Sequence, residues 1–261
     1  MRPQSEIKFN VRGREIGGAM PLICLPLLAE TEAAILSQAE ELSALSPDLF
    51  EWRVDGFNEV SDGEACMRTL SALRERIGNI PLIFTLRSRR EGGLSTMAGE
   101  ERMGLILAAI ASGSVDIVDF ELSCGTADVR RVVAAAGNQG VGILLSYHDF
   151  EKTPAEETIL GKLEEMEKAG AHIAKVAVMP NDETDVLALL GATLKARNGG
   201  TMKIPIVTMA MGAKGAVSRL AGGVFGSDIT FAAGTVATAP GQIPAKPLRE
   251  AMALLFNGDI T

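Results

Sequence analysis

Eight apolar runs of strand length, each followed by a segment with helical spacing, leave this chain few architectures to adopt. The runs are Leu22 to Leu27, Leu49 to Val54, Pro81 to Leu86, Ile117 to Glu121, Gly142 to Tyr147, Ile173 to Val178, Ile204 to Met209 and Ile229 to Ala232. Between and after them, helix formers at helical spacing predict helices over Glu30 to Leu45, Asp62 to Ile77, Gly99 to Ala111, Thr126 to Gln139, Ala155 to Ala169, Glu183 to Arg197, Ala216 to Ala221 and Ala245 to Phe256. Most runs are continuously apolar rather than alternating, so both faces of each strand are expected to be covered, as in a parallel sheet. The predicted fold is therefore α/β: an eight-stranded parallel (βα)8, or TIM, barrel. An open doubly wound sheet is the alternative, but the first βα turn lacks a dinucleotide fingerprint and the chain has no phosphate-loop lysine motif.

Ahead of the first run, Ile7 to Val11 and Glu15 to Ala19 flank Arg12-Gly13-Arg14 and predict a β-hairpin that closes the bottom of the barrel. Thr153-Pro154 has the make-up of a helix cap before a first-turn proline, and Gly78, Gly140, Gly170 and Gly199 follow helical runs. No linker, longer repeat or low-complexity tract interrupts the pattern, so residues 1–261 are expected to form a single barrel domain.

Charge excludes several classes of partner. With 25 Lys+Arg against 33 Asp+Glu the formal charge is -8, which supplies no general attraction for nucleic acid or for an acidic membrane. The most apolar early stretch, Ala19 to Leu28, is about ten residues, against roughly 20 for a bilayer span, and Pro21 and Pro26 interrupt it. Glu6 and Glu15 precede it and no small-residue cleavage pattern follows, so a secretory signal is not expected. Cys24, Cys66 and Cys124 are far apart, odd in number and set in apolar surroundings, which suits reduced thiols in a cytoplasm.

In such a barrel the reacting groups stand at the C-terminal strand ends and on the loops that follow. Glu51, Arg53 and Asp55 share one parity of the second run, so three charges point to one face of a strand expected to be buried. They form either a structural ion network or a substrate-contacting set. After the third run, Arg87-Ser88-Arg89-Arg90-Glu91-Gly92-Gly93 is a charge run of the kind usually solvated, in which Arg87 at the strand end and Glu91 beside the glycines are the two that could turn inward. Asp119 and Glu121, on one face of the fourth run, could orient another catalytic group or pair with an arginine.

Only two histidines occur. His148 ends the fifth run, where an imidazole can exchange protons near neutral pH, whereas His172 precedes the sixth and faces the stability end of the barrel. Two histidines at opposite mouths do not make a shared metal site. The sharpest anomaly is Lys175 inside Ile173-Ala174-Lys175-Val176-Ala177-Val178, a cation in an apolar strand. Burial favours the neutral amine, a nucleophile toward carbonyl carbon; the plain alternative is a lysine paired with a barrel carboxylate. Adjacent strands lie about 4.8 Å apart, so Lys175 and His148 at comparable height could reach one substrate. Arg219 on the seventh helix is a candidate carboxylate clamp, and Thr238-Ala239-Pro240-Gly241-Gln242 has the composition of a lid.

These residues resemble a known family, the type I 3-dehydroquinate dehydratases of the shikimate pathway. The resemblance runs the length of the chain through Glu51-Trp52-Arg53-Val54-Asp55, Glu91-Gly92-Gly93, Asp119-Phe120-Glu121-Leu122, Ser146-Tyr147-His148-Asp149-Phe150, Lys175, Met211-Gly212 with Ser218-Arg219, and Ala239-Pro240-Gly241-Gln242. It implies a barrel, commonly a homodimer, that eliminates water from 3-dehydroquinate to give 3-dehydroshikimate without metal or organic cofactor. It further implies that Lys175 forms an imine at the substrate ketone, His148 is general base and acid, Glu91 holds His148, and Glu51, Arg53, Arg87, Arg219, Thr238 and Gln242 bind substrate. Two positions depart from the family pattern: Thr238 stands where serine is usual, and Gly56 where histidine is frequent. Two other readings of the residues stay open, a class I aldolase or transaldolase with its own barrel lysine, and a barrel that only binds.

Overall fold

The computed structural model of the chain describes residues 2–235 and 237–256. A short hairpin, β1 (Phe9–Val11) and β2 (Arg14–Ile16), precedes the eight parallel strands β3 (Leu22–Leu27), β4 (Leu49–Arg53), β5 (Leu82–Thr85), β6 (Ile117–Glu121), β7 (Gly142–Asp149), β8 (Ile173–Val178), β9 (Ile206–Ala210) and β10 (Ile229–Phe231). The helices after the parallel strands are α1 (Glu32–Ser43), α2 (Gly63–Ile77), α3 (Gly99–Ala111), α4 (Thr126–Gln139), α5 (Glu156–Lys168), α6 (Glu183–Asn198), α7 (Ala216–Phe225) and α8 (Ala245–Phe256). Neighbouring strands follow chain order around the sheet, with β10 beside β3, as a (βα)8 barrel requires.

Period two along each strand divides the core. Outward residues such as Phe50, Trp52, Val118, Phe120, Ile143 and Val176 pack under the helices. Inward ones, including Leu49, Ile83, Ile117, Leu144, Ile173 and Val207, fill the barrel with Val11 and Ile16 of the hairpin. The hairpin thus plugs the N-terminal mouth. Its turn is tighter than the sequence suggests, because Arg12 (φ 44°) and Gly13 (φ 79°) both take left-handed conformations and Arg14 already belongs to β2. Gly142 opens β7 because the Phe9 ring fills the place of a side chain, only 2.4 Å from where a Cβ would lie.

The ends of the sheet, β9 and β10, meet through a backbone bond and two side chains. Asp228 N–H donates to Ile206 O (2.7 Å), and the Asp228 carboxylate accepts Ile206 N–H (2.8 Å). Ser227 Oγ accepts Thr208 N–H at 3.0 Å. Arg2 and Arg197 both pair with the buried Asp228 carboxylate, and Arg2 also donates to Gly18 O (2.7 Å), so the N-terminal arm is tied across the seam. A desolvated carboxylate between two guanidinium groups holds its place only with all of these partners present.

Three local expectations are revised. Thr153 does not cap α5; its hydroxyl donates to Met179 O at 3.1 Å, and Ala155 takes the capping position without a side-chain bond. Helix α7 continues past Ala221 through Gly222-Gly223 to Phe225, because Gly223 packs against Pro21 and Phe256, where a Cβ would come within 2.5 Å and 2.9 Å. Strand β7 continues to Asp149 because pairing with β8 persists through His148↔Ala177 and Asp149↔Val178.

Candidate active site

The inward parity that buries Leu49, Ile117, Leu144 and Ile173 near the bottom brings polar groups to the same lumen near the top. Glu51 and Arg53 come from β4, Asp119 and Glu121 from β6, Ser146 and His148 from β7, and Lys175 from β8. Arg87 follows β5. A cavity of about 220 Å³ opens at this C-terminal mouth, and Glu51, Arg53, Arg87, Glu91, His148, Lys175, Arg219, Thr238 and Gln242 all line it. These nine candidates face one space, while Asp55, Asp119 and Glu121 stand behind them and do not line it.

Lys175 is 4% exposed and paired. Its Nζ lies 3.1 Å from Asp119 Oδ2 and 3.7 Å from Glu51 Oε1, and 4.4 Å above the centroid of the Phe231 ring. On the inner face of the strand Lys175 stands between the apolar Ile173 and Ala177. Inside the barrel the amine stands against two carboxylates, a setting that suits a cation at this atom whether it is an ammonium or an iminium. Asp119 is the hub of the network: Oδ2 also accepts from Arg87 (2.6 Å), and Oδ1 accepts from Ser146 Oγ (2.6 Å). Burial works to raise the Asp119 carboxyl, but the Arg87 and Lys175 cations more than offset it and hold it well below the usual carboxylate range.

Strand register pairs Lys175 with Ser146 and His148 with Ala177, so His148 stands one inward step further up the barrel than Lys175, not level with it. Its Nδ1 is 2.8 Å from Glu91 Oε2, which also accepts His148 N–H at 3.0 Å. An anionic Glu91 selects the tautomer protonated at Nδ1 and leaves Nε2 with its lone pair. Burial, then the nearby Arg87 and Lys175 cations, hold the imidazole well below its ordinary pKa, so it is neutral at physiological pH. Burial pushes Glu91 up to about 7. Glu91 reaches inward because Arg89–Glu91 forms a single 3-10 turn that Gly92 ends in the left-handed region (φ 82°). Gly93 packs on the backbone, where a Cβ would lie 1.9 Å from Arg87 O.

The three cavity-lining arginines differ. Arg53 is held by Asp55 in a two-bond fork (2.8 and 2.9 Å). Arg87 is engaged by Asp119, Glu121 (3.0 Å) and Ser146 (2.8 Å); burial opposes its charge, but those carboxylates more than offset it and its pKa is raised. Arg219 has no carboxylate partner among the described residues. It donates only to Pro240 O (3.0 Å) and Phe231 O (3.3 Å) and touches Met209 Sδ (3.5 Å), its Nε has no partner, and burial alone pulls its pKa down to about 10. A guanidinium 3% exposed and without a counter-ion is the natural acceptor of an anionic ligand.

The loop from Thr238 to Gln242 covers Arg219. Gln242 Oε1 accepts Thr238 N–H (2.8 Å), its Nε2 donates to Thr238 Oγ1 (3.1 Å), and Pro240 O accepts Gly212 N–H (3.2 Å). Gly241 (φ 76°) leaves no room for a side chain, since a Cβ would sit 2.1 Å from Gly212 O. The second departure from the family pattern is also accounted for: a Cβ on Gly56 would lie 2.3 Å from Leu28 Cδ1, so Leu28 occupies that space.

Sequence reasoning missed Ser123, whose Oγ lies 2.5 Å from Glu91 Oε1, and Phe231, the ring beneath Lys175. Phe231 shares the inward parity of Ile229, a signal present in the sequence. Ser123 sits in a 3-10 turn, Leu122–Cys124, where periodicity gives no direction. His172 lies at the opposite mouth, where Nδ1 accepts Ile143 N–H (3.0 Å) and the ring meets Phe9.

Comparison with known proteins places the architecture. Residues 23–259 match the family described as type I 3-dehydroquinase. The chain is 44% identical over 254 residues to the 3-dehydroquinate dehydratase of Bacillus subtilis (strain 168), spanning 95% of this chain and 97% of that one. The crystal structure of 3-dehydroquinate dehydratase from Geobacillus kaustophilus HTA426 superposes with a TM-score of 0.95 at 42% identity, covering 99% of this chain and 100% of that one. A type I enzyme of the same name from Clostridium difficile, crystallised with covalently modified comenic acid, superposes with a TM-score of 0.93 at 38% identity, over 97% of this chain and 98% of that one. With a matching fold, a family match over most of its length and relatives this close, the chain belongs to the type I 3-dehydroquinase family.

Proposed function

We propose that this chain is a 3-dehydroquinate dehydratase that works through an imine on Lys175. The observation that carries the reading is one cavity that joins a paired lysine, a neutral histidine held by a carboxylate, and a guanidinium without a counter-ion. The Lys175 amine adds to the C3 ketone of 3-dehydroquinate and water leaves, so the cationic nitrogen passes from ammonium to iminium while Asp119 and Glu51 face it throughout. The iminium withdraws electrons from C2. His148 takes the C2 proton, the electron pair forms an enamine, and the same imidazole returns the proton to the C1 hydroxyl as the C1–O bond breaks. Water then hydrolyses the conjugated iminium, releasing 3-dehydroshikimate and the free lysine.

Arg219 receives the C1 carboxylate under the loop from Thr238 to Gln242, and Glu51, Arg53 and Gln242 face the ring hydroxyls. Arg87 acts mainly by holding Asp119 and Glu121 in place, since its donors are engaged there. Two copies form a homodimer, a reading supported by the exposed Val217 and Val224, seven residues apart on one face of α7, and by exposed Leu254 and Leu255 on α8. Sedimentation of the purified chain as a monomer at micromolar concentration overturns that part. Three free thiols suit a reducing cytoplasm, and among the described residues no helix is long and apolar enough to cross a membrane.

The direct test adds 3-dehydroquinate and follows ultraviolet absorbance of the enone product. Absorbance rises with the purified protein. A flat trace, or cleavage of a phosphorylated sugar instead, removes the proposal. Arg219→Lys keeps the charge but cannot make two parallel bonds to a carboxylate; the loss of about 1.5 to 3 kcal/mol lowers kcat/KM roughly 10- to 150-fold. Thr238→Ser removes one methyl and keeps the hydroxyl that Gln242 contacts, so kcat/KM changes less than about tenfold. Normal kinetics for Arg219→Lys would move the clamp to another arginine.

A further inference from the structure

We propose that Ser123 is a positioning residue for the Glu91–His148 pair, its hydroxyl holding the one Glu91 oxygen that His148 does not use. Glu91 Oε2 accepts both the backbone N–H and the Nδ1–H of His148, whereas Oε1 is 2.5 Å from Ser123 Oγ, with no other hydrogen-bond partner among the described residues. The terminal torsion of a glutamate is broad, so a carboxylate anchored at one oxygen swings easily about it. Anchored at both, it keeps Oε2 aimed at Nδ1 and so fixes the ring from which Nε2 must reach carbon. Glu91 itself is 4% exposed, while Ser123 is exposed and lines a separate cavity of about 530 Å³ beside α3. Glu91 therefore faces the active-site cavity beside His148 and meets this second cavity through the Ser123 hydroxyl.

The charge environment gives Ser123 a second effect. Burial pushes Glu91 toward its neutral acid, and Glu121 and Asp119 on β6 add to that push; the Ser123 hydroxyl and Arg87 after β5 work against it. His148 on β7 faces it directly, and Tyr147 lies close enough to feel its charge. Arg53 on β4 and Lys175 on β8 act on the His148 end of the pair. With Oε2 taken by two N–H donors, a proton entering Glu91 sits on Oε1, the atom Ser123 now donates to. Removing the hydroxyl makes that protonation easier and moves it to higher pH.

Ser123→Thr and Ser123→Val match each other in shape and differ only in the hydroxyl. In Ser123→Val the acidic limb of kcat moves up by about half to one pH unit, the shift expected for one lost hydrogen bond, with KM unchanged, while Ser123→Thr keeps the wild-type limb. The kinetic arm rests on the dehydratase reading, so a second measurement does not: nitrogen NMR of the imidazoles, in which His172 is the only other histidine signal. There, the titration of the His148 Nδ1–H resonance moves up in Ser123→Val relative to Ser123→Thr. Coincident curves for Thr and Val overturn the role of Ser123. A wild-type protein that fails to dehydrate 3-dehydroquinate, yet shows the NMR difference, overturns only the dehydratase reading.

Discussion

Borohydride added while the protein turns over 3-dehydroquinate leaves the mass of the reduced ligand on Lys175, and Lys175→Met lowers turnover by a factor on the order of 10⁵ to 10⁶, the scale seen when a covalent nucleophile is removed. Hydride adds to the iminium carbon and converts a hydrolysable C=N bond into a stable secondary amine. Without the imine, the C2 proton is that of an ordinary ketone, and the elimination loses its electron sink. Folding is not expected to fail in the variant, because Asp119 keeps Arg87 and Ser146, and Glu51 keeps the Thr85 hydroxyl at 2.9 Å. Circular dichroism checks that point independently. Peptide mapping that finds the adduct on another lysine, or turnover by Lys175→Met within about a hundredfold of wild type, would falsify the imine mechanism.

The barrel was legible because burial on two faces writes itself into a strand as a continuous apolar run, and eight such runs alternate with helices. Inward parity then made the polar set readable: Glu51, Asp119, His148 and Lys175 each break the apolar rule at a period-two position near a C-terminal strand end. What strand periodicity could not supply was partnership. The sequence made Arg219 a candidate clamp and left Arg53 open between an ion network and substrate, and only folding shows that Asp55 and Asp119 engage Arg53 and Arg87 while Arg219 is left facing the cavity. The height of His148 above Lys175 depends on strand register, which a pattern of apolar residues leaves free by whole steps of two. Loop groups were the least legible. Ser123 reaches Glu91 through a 3-10 turn of three residues, and Thr153 abandons a helix cap for Met179 O, a carbonyl brought near by the pairing of β7 with β8. Both strands at the seam were legible as apolar runs, but not how they join, because Asp228 and Ser227 just before β10 close it with side-chain bonds.

His148→Ala should lower turnover by about 10² to 10⁴-fold, the range for loss of a general acid-base group, while leaving imine formation at Lys175 partly intact. Neutrality of the imidazole is what makes it a base here: burial and the cations Arg87 and Lys175 disfavour the imidazolium, so lowering the pH toward 6.5 does not protonate His148 first. Once the C2 proton is on Nε2, the imidazolium formed is met by Glu91 at Nδ1, which lowers the cost of carrying that charge until it is returned to the departing hydroxyl. Deleting the ring removes both transfers but not the amine, so the variant accumulates covalent ligand that intact-protein mass spectrometry detects without borohydride. The two measurements together are discriminating. Slow turnover with accumulated adduct places His148 after imine formation, slow turnover without adduct assigns it to forming the imine as well, and near-normal turnover makes it a structural residue at the barrel mouth and transfers the proton chemistry to Glu91, the remaining group of the pair.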